Sequence, residues 1–340
     1  MNEPIRKTPP ANGRRGSVKP LALLGVVLFL GLSVYASRGL TPAPAPAAGE
    51  DEKPATPAAR AVAAANKFLE ALDAKQREKA LYDFGSTKKP NWSNLPVTIV
   101  PRNGVRLGDL TKEQRALAMD VVAAVTSKDG YQKMVDIMDG DQKLTENAGR
   151  GGGGRGGRGG AMFGTDLYYL ALFGKPSETK PWMVQFGGHH LGLNVTMIGK
   201  HFVLTPTHTG AQPALFKRDG KEVRPLGLEN DSAFRLVNAL NEKQRTQAVI
   251  AARPQGELLL GPGRDGKKIE AEGIKGSALT ADQQATLLEV IGAWVNIVEP
   301  DAAKARMEEI KGDIGETYFA WKGPTAKGAR PTSACRARAW

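Results

Sequence analysis

Polar and apolar positions along the chain fall into two kinds of pattern. Four segments share one helix start: "LDAKQREKA" from Leu72, "LTKEQRALA" from Leu110, "LNEKQRTQA" from Leu240 and "LTADQQATL" from Leu279. Each sets a cap-type residue (Asp73, Thr111, Asn241, Thr280) three positions before a glutamine (Gln76, Gln114, Gln244, Gln283). In that spacing the cap side chain and the glutamine amide satisfy each other's orphan backbone donors, so each segment opens a helix and the glutamines read as structural. The starts lie 38, 130 and 39 residues apart, which predicts two similar helical halves around a middle section rather than a uniform solenoid. In that middle section, residues 165–174, 181–188, the stretch after Gly188 and residues 201–206 are short apolar or alternating runs separated by Gly and Pro, the signature of strands; residues 316–323 read as a further strand. Short connections favour antiparallel pairing. The expected fold class is therefore α+β, an antiparallel sheet in the middle of the chain flanked by two groups of helices.

One hairpin can be registered by counting. If Gly199 and Lys200 form a two-residue turn, Met197 faces Phe202, Val195 faces Leu204, Leu193 faces Pro206 and Leu191 faces His208. Alternation then gives His189, Leu191, Leu193, Val195 and Met197 one apolar face, and His190, Asn194, Thr196 and His201 the other.

The remaining segments are not core. Residues 21–36, "LALLGVVLFLGLSVYA", form an uncharged run of 16. As a helix this run spans about 24 Å, between a signal-peptide core and a short membrane anchor. Basic residues 1–20 before it and "EDE" after it orient the N-terminus to the cytoplasm and the rest outside, membrane-anchored or periplasmic or secreted after cleavage. "RRGSVK" from Arg14 partly matches the twin-arginine export pattern, with Ser17 where a bulky apolar residue is expected. Residues 37–59 are a Pro/Ala-rich linker, and residues 149–160, "GRGGGGRGGRGG", carry too little apolar surface to offset ordering entropy and read as a loop. A single α+β domain is expected over 60–324, followed by a basic tail over 325–340.

Charge changes the picture less than its total suggests. The net charge is +12, yet residues 1–20 contribute +4, residues 149–160 contribute +3 and residues 320–340 contribute +5, which leaves the globular body neutral. A nucleic-acid-binding face would need its excess on the folded part, so nucleic acid is not an expected partner; the expected partners are the membrane, through residues 21–36, and a small-molecule ligand. The only cysteine is Cys335, so neither a disulfide framework nor a thiolate nucleophile is available to the body.

The candidate chemistry is histidine. His189, His190, His201 and His208 are the four histidines of the 340-residue chain and fall within twenty residues of one another. In the counted register His189 and His208 are diagonal neighbours on one face, the candidate metal pair, with a transition metal as the candidate cofactor. His189 and His190 are the candidate catalytic residues, as ligands or as general acid and base. His201 sits beside the turn and reads as exposed. Two ligands fall short of the three or more protein ligands usual at a zinc or iron site, and no HExxH or GxSxG motif occurs. Two functions stay open: an enzyme-type site that binds a metal or acts on a small substrate, and a non-catalytic binding module tethered at the membrane.

"NW" at Asn91, "YYLALFGKPS" at Tyr168, "PWMVQFGGHHLGLNVT" at Pro181, "TPTHTGAQP" at Thr205 and "TYFAWKGP" at Thr317, with the leucine-to-glutamine helix starts, resemble the family catalogued as domain of unknown function 3500, over about residues 60–324. The resemblance implies an exported bacterial protein whose best-marked motif is Gly188-His189-His190, and it supplies no reaction. It also implies a C-terminus that is truncated or frameshifted: the family continues after the "FAW" strand with an aromatic-Arg-apolar stretch, and the codons of Thr332–Trp340 allow such a stretch in a shifted frame.

Overall fold

The structure, a computed structural model, describes residues 56–326 except 98, 151–162, 255, 257, 263, 265 and 266. The apolar run at 21–36, most of the Pro/Ala linker, the Gly/Arg segment except its first two residues, and the tail from residue 327 lie outside the described residues. Among the described residues no helix is long and apolar enough to cross a membrane.

The first half runs α1 (Pro57–Ala71), α2 (Ala74–Ala80), β1 (Leu81–Tyr82), β2 (Val105–Arg106), α3 (Lys112–Val125), α4 (Lys128–Arg150) and β3 (Tyr169–Phe173). The middle adds β4 (Trp182–Gly187), β5 (Leu191–Ile198), β6 (His201–Leu204), β7 (His208–Thr209) and the separate hairpin β8 (Phe216–Arg218) and β9 (Lys221–Val223). The second half runs α5 (Gly227–Ala239), α6 (Glu242–Ala248), β10 (Val249–Ala251), β11 (Ile274–Lys275), α7 (Ala281–Val295), α8 (Pro300–Gly312), β12 (Tyr318–Phe319) and β13 (Trp321–Lys322).

All four expected helix starts form as capping boxes, at α2, α3, α6 and α7. The glutamines do more than cap. Gln76 and Gln114 exchange amide hydrogen bonds of 3.2 and 3.0 Å, and Gln114 also donates to the carbonyl of Ala71 at 2.8 Å. Gln244 and Gln283 repeat the exchange at 2.9 Å each, and Gln283 donates to Ala239 at 2.8 Å.

The likeness of the halves extends into their strands. β1 is parallel and β2 antiparallel to β3; β10 is parallel to β13 and β11 antiparallel to β12. The Gly174 amide donates to Tyr82 at 2.8 Å as Gly323 does to Ala251 at 2.9 Å. The chain is thus one helix-and-strand module used twice. The halves meet where the α3–α4 and α7–α8 junctions pair as an antiparallel bridge between Thr126 and Val298. A buried ion pair, Lys133 to Glu229 at 2.5 Å, ties α4 to α5.

The main sheet has seven strands in the order β1-β3-β4-β5-β6, with β2 sharing an edge of β3 and β7 sharing an edge of β5. It is mixed, which corrects the antiparallel expectation: β1 pairs Leu81 with Leu172 in parallel. The helices α3 and α4 lie between those two strands in the chain, and a long crossover permits parallel pairing where a tight turn does not. The 316–323 segment forms β12 and β13, which pair within the second half and not in the main sheet.

Counting from the Gly199 turn gives the right register for Val195 to Ile198, with Met197 opposite Phe202 and Val195 opposite Leu204. Beyond Leu204 it slips by one: His208 pairs with Gly192, not Leu191, and Thr209 pairs with Leu191. Between them Thr205 donates its amide to Asn194 at 3.1 Å, and the Asn194 amide reaches past it to the Pro206 carbonyl at 2.7 Å, which leaves an extra residue in this strand. The slip moves His208 to the other face of the sheet.

Leu191, Leu193, Val195 and Met197 are buried together with Trp182, Val184 and Phe186, and they pack against apolar residues of α1, α3 and α4. On the opposite face Trp92 lies against Gly192, and Asn103 and the Lys89 carbonyl join a polar chain with Gln185. Asn103 donates to Gln185 and Gln185 to Asn194, each at 2.8 Å, so three buried amides are satisfied by one another.

Candidate metal centre

β4 and β5 are joined by a tight turn closed by the Gly188 amide donating to Leu191 at 2.9 Å, and this turn presents His189 and His190 at the end of the sheet. Gly188 is required there: a Cβ would lie 2.9 Å from the ring of Tyr168. From the other layer Arg102 holds the same turn, donating to the carbonyls of Gly188 at 3.0 Å and Ser93 at 2.8 Å. Burial lowers this guanidinium to about 10.

The third member comes from α4. Met134, Ile137 and Met138 form the buried stripe of that helix, and Asp141 follows on the same face, 1% exposed at its side chain. A carboxylate on an apolar stripe needs partners, and it has them. Oδ1 lies 2.5 Å from Nδ1 of His190, and Oδ2 accepts the Tyr168 hydroxyl at 2.7 Å. Nδ1 of His189 stands 3.7 Å from the same Oδ1, too far for a hydrogen bond, and this buried nitrogen has no partner. One ligand atom each from Asp141, His189 and His190 lies within 4.8 Å of the others.

The electrostatics fix the charge of the carboxylate. Burial would raise the Asp141 carboxyl, but the approach of His189 and the hydrogen bonds from His190 and Tyr168 outweigh it and hold the group down at about 2. The fully buried Tyr168 phenol is driven the other way, first by burial and then by the charge on Asp141, so it remains a donor. Because a carboxylate only accepts, Nδ1 of His190 carries the proton in the Asp141–His190 contact, and a metal ion seated between the two groups would take the place of that proton. The two imidazoles lie against each other with ring centroids 3.8 Å apart, and Phe163 covers His189 at 4.6 Å.

A divalent ion with N and O ligands at about 2.0–2.2 Å holds neighbouring ligand atoms about 3 Å apart. The distances from Asp141 Oδ1 to Nδ1 of His190 and of His189, 2.5 and 3.7 Å, lie on either side of that value, and the three ligand atoms lie within 4.8 Å of one another. Two histidines and one carboxylate on one side of an ion leave further coordination positions open.

Of the residues singled out in the sequence, His189 and His190 come together and His208 joins them as a neighbour, not as a member of the triad. His208 is half-buried, and burial first, then His190 and His189, lower it to about 4. His201 is exposed at the start of β6, away from the cluster. Asp141 and Tyr168 were not among the sequence candidates. Asp141 carried a legible signal, a carboxylate in phase with the Met134, Ile137 and Met138 stripe; Tyr168 carried none.

A family model described as "Protein of unknown function (DUF3500)" matches residues 54–332. No curated protein and no solved structure matches the chain.

Proposed function

We propose that this chain, which belongs to the DUF3500 family, binds a divalent transition metal through Asp141, His189 and His190 and presents the ion's open positions to a small molecule. The observation that carries the reading is the Nδ1 of His189: buried, without a partner, and 3.7 Å from a carboxylate oxygen already engaged by a second imidazole. Buried polar atoms are rarely left unmatched, and an ion between the three groups would satisfy this one. Tyr168 acts on the carboxylate from behind, the kind of outer contact that orients a ligand and sharpens affinity. The proposal extends to placement: the basic n-region, the apolar run at 21–36 and the Pro/Ala linker support a body held outside the cytoplasmic membrane, anchored or released.

The test is metal analysis and calorimetric titration of the purified full chain with Zn(II) and Co(II). Stoichiometric binding lost in His189→Ala and in His190→Ala, with the fold intact by circular dichroism, is the expected result. The short Asp141–His190 hydrogen bond favours a second reading, a non-catalytic module in which that pair recognises an organic ligand without an ion. Absence of any stoichiometric metal in the wild type decides for the second.

A further inference from the structure

The His190 ring has one edge on the carboxylate and another on Gly210. Its Nδ1 lies 2.5 Å from Oδ1 of Asp141, while Cδ2, bonded in the ring to Nε2, borders Gly210. A Cβ on Gly210 would lie 3.2 Å from that Cδ2 and 3.4 Å from Nε2 of His208. Both imidazoles therefore border the same space, and a residue without a side chain keeps it clear.

Backbone pairing fixes this arrangement. The Gly210 amide donates to the His190 carbonyl at 2.7 Å, Thr209 stands opposite Leu191 and His208 opposite Gly192. The strand that carries His208 is thus bonded to the residue whose ring His208 approaches. The extra residue before β7 is what sets this imidazole on the Gly192 side.

Metal binding makes a demand on the second edge of His190. A neutral imidazole that gives its Nδ1 lone pair to an ion carries its one proton on Nε2, which is then a donor. Metal-bound histidines ordinarily pass that N–H to a carboxylate, a carbonyl or a water, which fixes the tautomer and the ring orientation. Here the carboxylate of the site, Asp141, is on the first edge, and the His190 carbonyl already accepts from Gly210. The nitrogen that borders the same space is Nε2 of His208, which accepts when the proton of that ring is on Nδ1.

We propose that His208 is the outer partner of metal-bound His190: its Nε2 accepts the Nε2–H of His190 across the space beside Gly210, directly or through one water, and holds the ring in its metal-binding tautomer. The proposal rests on the metal reading above and adds a positioning residue to it. His208 does not ligate the ion.

The test loads the full chain with Co(II) and follows its exchangeable, hyperfine-shifted imidazole N–H signals by proton NMR, with Zn(II) affinity measured by titration calorimetry. Wild type should show one such signal from each ligating histidine. In His208→Ala one should be lost to solvent exchange while the other stays, a selectivity that a general packing defect would not produce. Zn(II) affinity should fall about tenfold, the scale of an outer partner, in His208→Ala and in Gly210→Ala. The second variant sets a methyl group between the rings at a backbone position outside the positive-φ region, so it keeps His208 and the fold. His208→Gln, whose carbonyl oxygen still accepts, should recover most of the affinity. Signals that exchange alike in wild type and His208→Ala, or Zn(II) affinity within about threefold of wild type in both weakened variants, overturn the proposal and leave the metal centre standing. Should His208→Ala fail to fold, Gly210→Ala decides by the same affinity criterion. Loss of metal from His208→Ala as severe as from His189→Ala makes His208 a ligand and also overturns it. Failure of the wild type to bind either ion removes both readings, and is told apart because no shifted signal then appears.

Discussion

Asp141 and His190 are 49 residues apart in the chain and on different layers of the fold, yet Oδ1 of one lies 2.5 Å from Nδ1 of the other. The contact needs α4 to bring a carboxylate on its buried stripe and the β4–β5 turn to bring an imidazole at the sheet end. Replacing Asp141 by Asn keeps an acceptor for the Tyr168 hydroxyl and nearly the same volume, but removes the charge. Zn(II) affinity should fall by a factor of about 100 or more, since a neutral amide is a poor ligand beside two imidazoles. Titration calorimetry of Asp141→Asn against the wild type measures it, and affinity within threefold would show that the carboxylate is not a ligand.

Tyr168→Phe removes a single oxygen from a fully buried position. The Asp141 carboxylate then loses the donor on Oδ2 and keeps its contacts with the histidines. Hydrogen bonds to charged groups contribute about 1.5–3 kcal/mol, so the metal-free variant should unfold at lower urea by that amount. Metal affinity should fall by about tenfold, the usual scale for an outer-shell partner. A variant equal to wild type in both measurements would make the Tyr168 contact incidental.

The sequence was legible where its signals are local and less so where they depend on distant chain. Asp73–Gln76 and its three counterparts form a hydrogen-bonded motif within four residues, so spacing alone reveals them. The Gly199 turn likewise sets the register from Ile198–His201 to Val195–Leu204. The count failed at Thr205, because the Asn194 side chain competes with the ladder for the Pro206 carbonyl and an extra residue enters. That one residue decides which face His208 takes. β1 is two residues long and its partner is about ninety residues away, so nothing local marks it as a parallel strand. The carboxylate of the site was hidden for a different reason: histidine drew attention by clustering, whereas Asp141 is distinguished only by standing on the wrong side of an amphipathic helix.

The paired glutamines make a quantitative expectation possible on the second half. Gln283 is 8% exposed, donates to Ala239 and Gln244, and accepts from the Thr280 backbone amide and the Gln244 side-chain amide. Truncation in Gln283→Ala breaks all four and leaves the Ala239 carbonyl and the Gln244 amide without this partner. A loss of about 2–3 kcal/mol of unfolding free energy is expected, read from urea midpoints. Gln114→Ala, at the corresponding place in the first half, should cost a similar amount; a loss below about 0.5 kcal/mol in both would show that the reciprocal amide bonds contribute little.

Placement outside the membrane is testable on cells. If residues 21–36 direct the body across, protease added to intact spheroplasts should digest it, while a cytoplasmic marker survives. Full protection of the body under those conditions would rule the export reading out.

The last expectation concerns acid and the metal-free protein. His208 is held at about 4 in the fold, against an ordinary value near 6.5, because burial and then His190 and His189 disfavour its charged form. The folded pKa is depressed, so between about pH 6.5 and pH 4 the unfolded chain binds a proton on His208 that the folded chain does not. Stability therefore rises with pH across that window and falls as acid is added, by up to about 3 kcal/mol at pH 4 from this residue alone. Asp141 does not share the window: its carboxyl is held at about 2, and its contribution is retained until the pH drops below the ordinary carboxylate range near 4. Urea unfolding with chelator present, at pH 7 and at pH 4.5, should show the loss in wild type and a clearly smaller loss in His208→Gln, which keeps a polar side chain but cannot titrate. Equal pH dependence in the two proteins would mean that His208 takes up its proton as readily in the fold as in the unfolded chain.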